Sequence, residues 1–300
     1  MLVRRTQSYG LPPLKPLILM LVIFSLGVCT VDGGDCGGNG SLNFVDTVVV
    51  DKSGSGNFTS VQSAIDSIPL NNRRWIKVQI NPGVFVEKVT IPRGKPCIVL
   101  EGRDRSVTVI TFNGHDQTDK SATFTSVADN IVAKGITFKN SYNHPWLQKR
   151  VMSNRQIPGV ARAVAARILG DKSAIFRVRF LGAARYAVGR SRPPLFLRCH
   201  IKGTEDFISE CSINITACAF SSQLSYGGKI FDTTRTYLGR TWGPYSRVIF
   251  QRTTMTSDMI PQGWDAWKFP GKEENFVYAE VDCKGPGSYT SKRVPGEKSG

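Results

Sequence analysis

The stretch SAIFRVRFLGAARYAVGRSRPPLFLRCHIKGTEDFISECSINITACAF, Ser173 to Phe220, decides the fold. Comparable points in three short apolar strands, Phe180, Ile201 and Phe220, recur at intervals of 21 and 19 residues. A period of that length is expected of a solenoid that spends one coil per repeat. Phe176, Val178 and Phe180 alternate with Arg177 and Arg179, and Leu195, Leu197, Cys199 and Ile201 alternate with Phe196, Arg198 and His200. Side chains of a strand point to opposite faces in turn, so the first set of each is expected inward. The outward set would then stack Arg on Arg or His from coil to coil, a ladder able to hold a polyanion.

The same signals extend on both sides. TVVVDKSGSGNFTSVQSAIDSI reads as a strand, a Gly/Ser turn and a short amphipathic helix from Ser60 to Ile68 that caps one end. Short strands with turn punctuation follow: WIKVQI, KVTI, CIVLEG, TVITF and NIVAKGITF. The fold class is therefore all-β, a right-handed parallel β-helix with a short N-terminal helix.

Ahead of this, Arg4, Arg5 and Lys15 precede the apolar run Leu17 to Val28, which is too short to span a bilayer and reads as a secretory signal peptide. The expected organisation is a signal peptide and leader over 1–33, a glycine-rich linker over 34–44, and a β-helix domain over 45–295. No membrane association is expected after the signal is removed. Without the segment that ends with the apolar run, residues 1–28, the chain keeps 36 basic and 23 acidic residues, a net charge of +13. Such a charge calls for an acidic partner. With no nucleic-acid module in the sequence, acidic polysaccharide or a cell wall fits better than nucleic acid.

Seven cysteines, at 29, 36, 97, 199, 211, 218 and 283, match no zinc spacing, and their pairing is not deducible from the sequence. Asn39, Asn57 and Asn214 open glycosylation sequons. Three histidines, at 115, 144 and 200, and no Gly-x-Ser-x-Gly elbow argue against a serine hydrolase. Carboxylate chemistry remains. In GTEDFISE, Glu205 and Asp206 run into the apolar pair Phe207 and Ile208, an environment that tunes a carboxylate. On its own this pattern also suits an ordinary acidic strand junction.

Taken together, GSGNFTSVQSAIDSIP, GVFVEKVTIPRGKPCIVLEG, ATFTSVADNIVAKGITFKNS, RAVAARILGDKSAIFRVRFLG, GTEDFISE, YLGRTWGPYSRVIF and GWDAW resemble, in order, the plant pectin methylesterases. The resemblance covers about residues 45 to 295. It implies hydrolysis of methyl esters in cell-wall homogalacturonan without metal or cofactor, in a secreted, monomeric protein. It places Asp206 at the nucleophile, Arg240 at the arginine that orients it, and Trp242 at a sugar subsite.

Other family positions are replaced. Arg162 stands for a glutamine, Ala184 for the oxyanion glutamine and Arg185 for the general-acid aspartate, while Ser209 and Glu210 replace Phe and Gly. Arginine cannot donate the proton that departing methanol requires. About one coil is missing near 219–236, which is expected to shift Arg240 and Trp242 by one rung relative to Asp206. The chain also ends at Gly300, ahead of the family's closing helical segment. The resemblance thus implies a pectinesterase with impaired activity or, alternatively, a non-catalytic pectin-binding β-helix. A decayed gene that yields no stable protein is a third reading. A pectate lyase would need a calcium-binding acidic cluster, which the sequence lacks.

Overall fold

The computed structural model describes residues 36–37, 42–115, 117, 120–142, 163–182, 194–203, 206–209, 212–222, 237–241, 245–257, 259–266, 268–294 and 297–299. Every strand pairing among them is parallel, and successive coils stack into three faces. The first face is a ten-stranded sheet running from Phe44–Val50 through Ala174–Phe176, Leu195–Leu197 and Ser212–Thr216 to Glu297–Ser299. The second is a seven-stranded sheet that includes Thr137–Asn140, Arg179–Leu181, His200–Gly203 and Ala219–Ser222. The third face holds two three-stranded ladders. One joins Val89–Ile91, Phe124–Ser126 and Ala166–Ile168, and the other joins Asp206–Ser209, Tyr237–Arg240 and Trp264–Asp265.

The repeat read from the sequence is the physical repeat. Phe180 is the ladder partner of Ile201, which is the partner of Phe220, and all three are buried. Around them Phe124, Phe138, Phe180 and Phe196 run along the interior with successive ring centroids 4.4, 5.9 and 5.8 Å apart. Rings at these spacings combine large apolar burial with favourable offset contacts, so this file of phenylalanines ties one coil to the next.

The expected helix is Val61–Ser67, with Ser60 as N-cap accepting from the amide of Ser63 and Ile68 as C-cap. Both of its ends are held by charged side chains from the coil. The Glu87 carboxylate accepts from the amides of Val61 and Gln62, each at 2.9 Å, and from Ser60 Oγ. Lys95 Nζ donates to the carbonyls of Ile65 and Asp66 at 2.9 and 2.7 Å. Acid at the amino end and base at the carboxyl end satisfy orphan backbone groups and oppose the helix dipole. That arrangement fixes a seven-residue helix too short to persist alone.

The inward assignment of Phe176, Leu195 and Leu197 needs correction. Ile175 and Phe196 are the buried residues of those strands, whereas Phe176, Leu195 and Leu197 are half-buried on the outer surface. The period-2 pattern fails because neither strand is continuous. Arg177 (φ 52°) and Arg198 (φ 55°) take the left-handed conformation and turn the chain from the first sheet into the second, which resets the phase. Gly135, Ala217, Arg252 and Asp282 occupy the same corner in other coils, with φ between 48° and 66°. The amides of Gly135, Arg177, Arg198, Ala217 and Arg252 each donate to a carbonyl of the following coil at 2.8 to 3.2 Å, so these five corner amides stay paired.

Just inside that corner lie Cys199 and Cys218, buried free thiols in which Cys218 Sγ accepts from the Cys199 amide at 3.2 Å. Burial pushes the Cys218 thiol well above the usual range, which makes it packing rather than a nucleophile. Cys36 and Cys97 form a disulfide that closes a loop of 61 residues. Toward the other end, Arg293 and Glu280 form a buried bidentate pair at 2.7 and 3.0 Å. The arginine also donates to the carbonyls of Ile260, Pro261 and Gly287.

Candidate active site

The third face assembles the candidate site. Asp206 opens the strand Asp206–Ser209, and its ladder partner is Tyr237 in Tyr237–Arg240. Ile208 faces Gly239 and Ser209 faces Arg240. The strands of Asp206 and Arg240 are thus direct neighbours, with Arg240 three residues further along than the partner of Asp206. At about 3.3 Å per residue and about 4.8 Å per rung, their Cα atoms are about 11 Å apart.

What holds Arg240 in place is the next rung. Trp264 pairs with Gly239 and Asp265 with Arg240. Trp264 is buried and stacked on Tyr278, with centroids 4.1 Å apart and planes within 3°. The amide of Thr241 donates to the Asp265 carbonyl at 3.1 Å, and that of Leu238 donates to Gly263 at 2.7 Å. The Thr241 hydroxyl is bonded to Tyr278 Oη. Asp265, in the GWDAW segment, is therefore the acid that the ladder sets beside Arg240, and sequence reading assigned it no role. A carboxylate one rung from Arg240 was detectable only through strand register.

Arg162, Ala184, Arg185 and Trp242 lie outside the described residues, and for Asp206 and Arg240 the backbone strand is what is described. On the third face, Ala166–Ile168 ends one ladder and Asp206–Ser209 begins the other. Among the described residues no cluster of three or more His, Cys, Asp or Glu could hold a metal ion, and no helix is long and apolar enough to cross a membrane. A groove of about 220 Å³ exists on a different face, the outer surface of the first sheet, where Leu42, Phe44, Phe176, Leu195 and Leu197 surround Glu101 and Lys134. Those two charges pair with each other at 2.8 Å, and the groove is apolar.

Comparison with known proteins adds the decisive observation: the Pectinesterase family model matches residues 47–218 and 209–298. The chain belongs to the pectinesterase family. Probable pectinesterase 29 of Arabidopsis thaliana is 39% identical over 274 residues, covering 82% of this chain and 80% of that protein. Pectinesterase QRT1 of the same plant is 31% identical over 286 residues, covering 84% and 73%. Among solved structures, the pectin methylesterase from carrot aligns with a TM-score of 0.64 at 26% identity, covering 86% of this chain and 89% of its own. Pectin methylesterase PemA from Erwinia chrysanthemi shares the fold, with a TM-score of 0.62 at 20% identity. The pectinesterase architecture, a right-handed parallel β-helix, is thus the one this chain adopts. The two matched segments of the pectinesterase model share residues 209–218, the stretch that carries the strand Ser212–Thr216 and Cys218.

Proposed function

We propose that this pectinesterase-family chain acts on the homogalacturonan of the cell wall, and that its methyl ester hydrolysis, carried by Asp206, is strongly impaired. The chemistry needs the Asp206 carboxylate to attack the ester carbonyl, amide donors to hold the oxyanion, and an acid to protonate the methanol that leaves. Water then cleaves the acyl-enzyme and returns Asp206 as the free carboxylate. With Ala184 and Arg185 at the family's oxyanion and acid positions, two of these requirements are unmet. A missing general acid costs about 10² to 10⁴ in rate and a missing oxyanion donor about 10² to 10³.

The observation that carries this reading is the direct pairing of Asp206–Ser209 with Tyr237–Arg240. It puts Asp206 and Arg240 on adjacent rungs of one ladder, which supports the loss of one coil, as does the doubled match over 209–218. Pectin methylesterases of this fold are known in complex with a hexasaccharide, which supports an oligosaccharide ligand for this chain. The disulfide between Cys36 and Cys97 favours an oxidising compartment and so supports secretion after removal of the 1–33 leader. Asn57, in its exposed turn, is a suitable glycan acceptor.

The second reading, a non-catalytic pectin-binding protein, is favoured by the basic face described below. Purified full-length protein incubated with methylated pectin separates the two. Slow methanol release that disappears in Asp206→Asn supports an impaired esterase. Retention on pectin with no release in either protein supports a binder.

A further inference from the structure

The second sheet presents a face that the esterase chemistry does not use. Arg179 is the ladder partner of His200, and Lys202 lies two residues further along the same strand as His200. At the adjoining corner, Arg177 and Arg198 are exposed on successive coils. Arg105 reaches the same corner from an earlier coil, where its Nη1 donates to the Arg198 carbonyl at 3.1 Å. The loop that carries Arg105 is pinned in turn. Thr137, the other ladder partner of Arg179, donates its hydroxyl to the Arg105 carbonyl at 2.5 Å.

Six basic side chains thus line one edge of the helix across successive coils. Among the described residues Asp104 is an acid beside them: its carboxylate accepts from the Ser106 amide at 2.8 Å and the Ser106 hydroxyl at 2.6 Å, and it feels the charges of Arg177 and Arg105. Like charges at rung spacing repel one another, and a fold carries such a face at a cost in stability. Arg179 Nε is moreover buried and finds no hydrogen-bond acceptor, a donor left without a partner in a basic environment. Burial first, and then the charges of Arg179, Arg105 and Lys202, push the His200 imidazole below its ordinary value.

We propose that this strip, formed by Arg105, Arg177, Arg179, Arg198, His200 and Lys202, is a binding surface for a de-esterified galacturonan chain, separate from the Asp206 face. The Arg177 and Arg198 charges repeat along the helix axis at one rung of about 4.8 Å, with the charges of Arg105, Arg179 and Lys202 beside them and the His200 ring between. A linear polymer bearing a carboxylate on each unit meets several of them at once, whereas a small anion meets one or two. Methyl esterification removes the charge, so the strip selects the product of the family's reaction over its substrate. The protein would then be held on pectin that has already lost its esters. This rests on homogalacturonan being the polymer the chain acts on.

The test is the affinity of the full-length protein for polygalacturonate, for fully methylated pectin and for dextran sulfate, at low and high salt. The expected result is tighter binding to polygalacturonate than to methylated pectin, weakening as salt rises. Arg179→Gln with Lys202→Gln should weaken polygalacturonate binding about tenfold or more, the worth of about one charge-assisted hydrogen bond. Arg177→Gln with Arg198→Gln, at exposed corner positions that carry no core, should weaken it likewise and guards against a folding defect in the first pair. Unchanged polygalacturonate affinity in both variants, with loss in Asp206→Asn, would overturn the strip while leaving homogalacturonan as the ligand. Retention on dextran sulfate with none on polygalacturonate would overturn both the ligand assignment and the functional reading beneath it.

Discussion

Arg179 and His200 are cross-strand partners on neighbouring coils, and the imidazole Nε2 stands 3.1 Å from Ser221 Oγ on the coil beyond. Burial first, then the charges of Arg179, Arg105 and Lys202, lower the His200 pKa from its ordinary 6.5. Because the fold favours the neutral ring, His200 supports stability fully above about pH 6.5 and withdraws that support as pH falls through its lowered value. Urea unfolding between about pH 7 and pH 5 should therefore show a decline that His200→Gln reduces. Polygalacturonate should move the His200 titration, followed by NMR, back upward. A His200 titration at or above 6.5 in the free protein would contradict this.

The Arg293–Glu280 pair predicts a large single-site effect. Both side chains are almost fully buried, at 3% and 1% exposure, so removing one strands the other charge. Arg293→Met should cost about 3 to 5 kcal/mol in urea unfolding, and adding Glu280→Met should recover part of the loss. A change under about 1 kcal/mol for Arg293→Met would show that the pair is solvated in solution.

Ala217 predicts the opposite sign. It is exposed, holds φ 51° at the corner, and makes no side-chain contact that glycine would lose beyond its methyl group. Ala217→Gly should stabilise the protein by about 0.5 to 1 kcal/mol, the left-handed strain it relieves exceeding the chain entropy it adds. Destabilisation of that size would mean that the corner does not strain a Cβ.

These corners also explain what the sequence revealed and what it hid. The coil repeat was legible because Phe180, Ile201 and Phe220 are ladder partners, so their spacing is the length of a coil. The helix was legible because Ser60 caps an amphipathic run. The facing of Phe176, Leu195 and Leu197 was not, since the bend beside them is made by Arg177 and Arg198 rather than by glycine, and a left-handed arginine leaves no mark in a hydrophobicity pattern. At the site, Asp206 and Arg240 were located through family motifs, and their adjacency through register alone. The Cys36–Cys97 bond and the place of Asp265 beside Arg240 likewise depend on which coils stack, information that local sequence does not hold.

Restoring the replaced positions tests whether substitution or geometry limits the site. Arg185→Asp with Ala184→Gln and Arg162→Gln returns an acid and two amides. We expect methanol release to rise above that of the natural sequence yet stay well below about 10 per second, because the proposed loss of a coil would put Arg240 on a different rung relative to Asp206 from the one the family chemistry uses. A triple variant that reaches about 10 per second would show that the substitutions alone silence the site.

The most direct measurement is methanol released per mole of purified full-length protein from highly methylated pectin, with Asp206→Ala as the background. The account predicts a rate at least about 10²-fold below the ordinary enzymatic rate of about 10 per second. Release near about 10 per second by the natural sequence, abolished in Asp206→Ala, would contradict it.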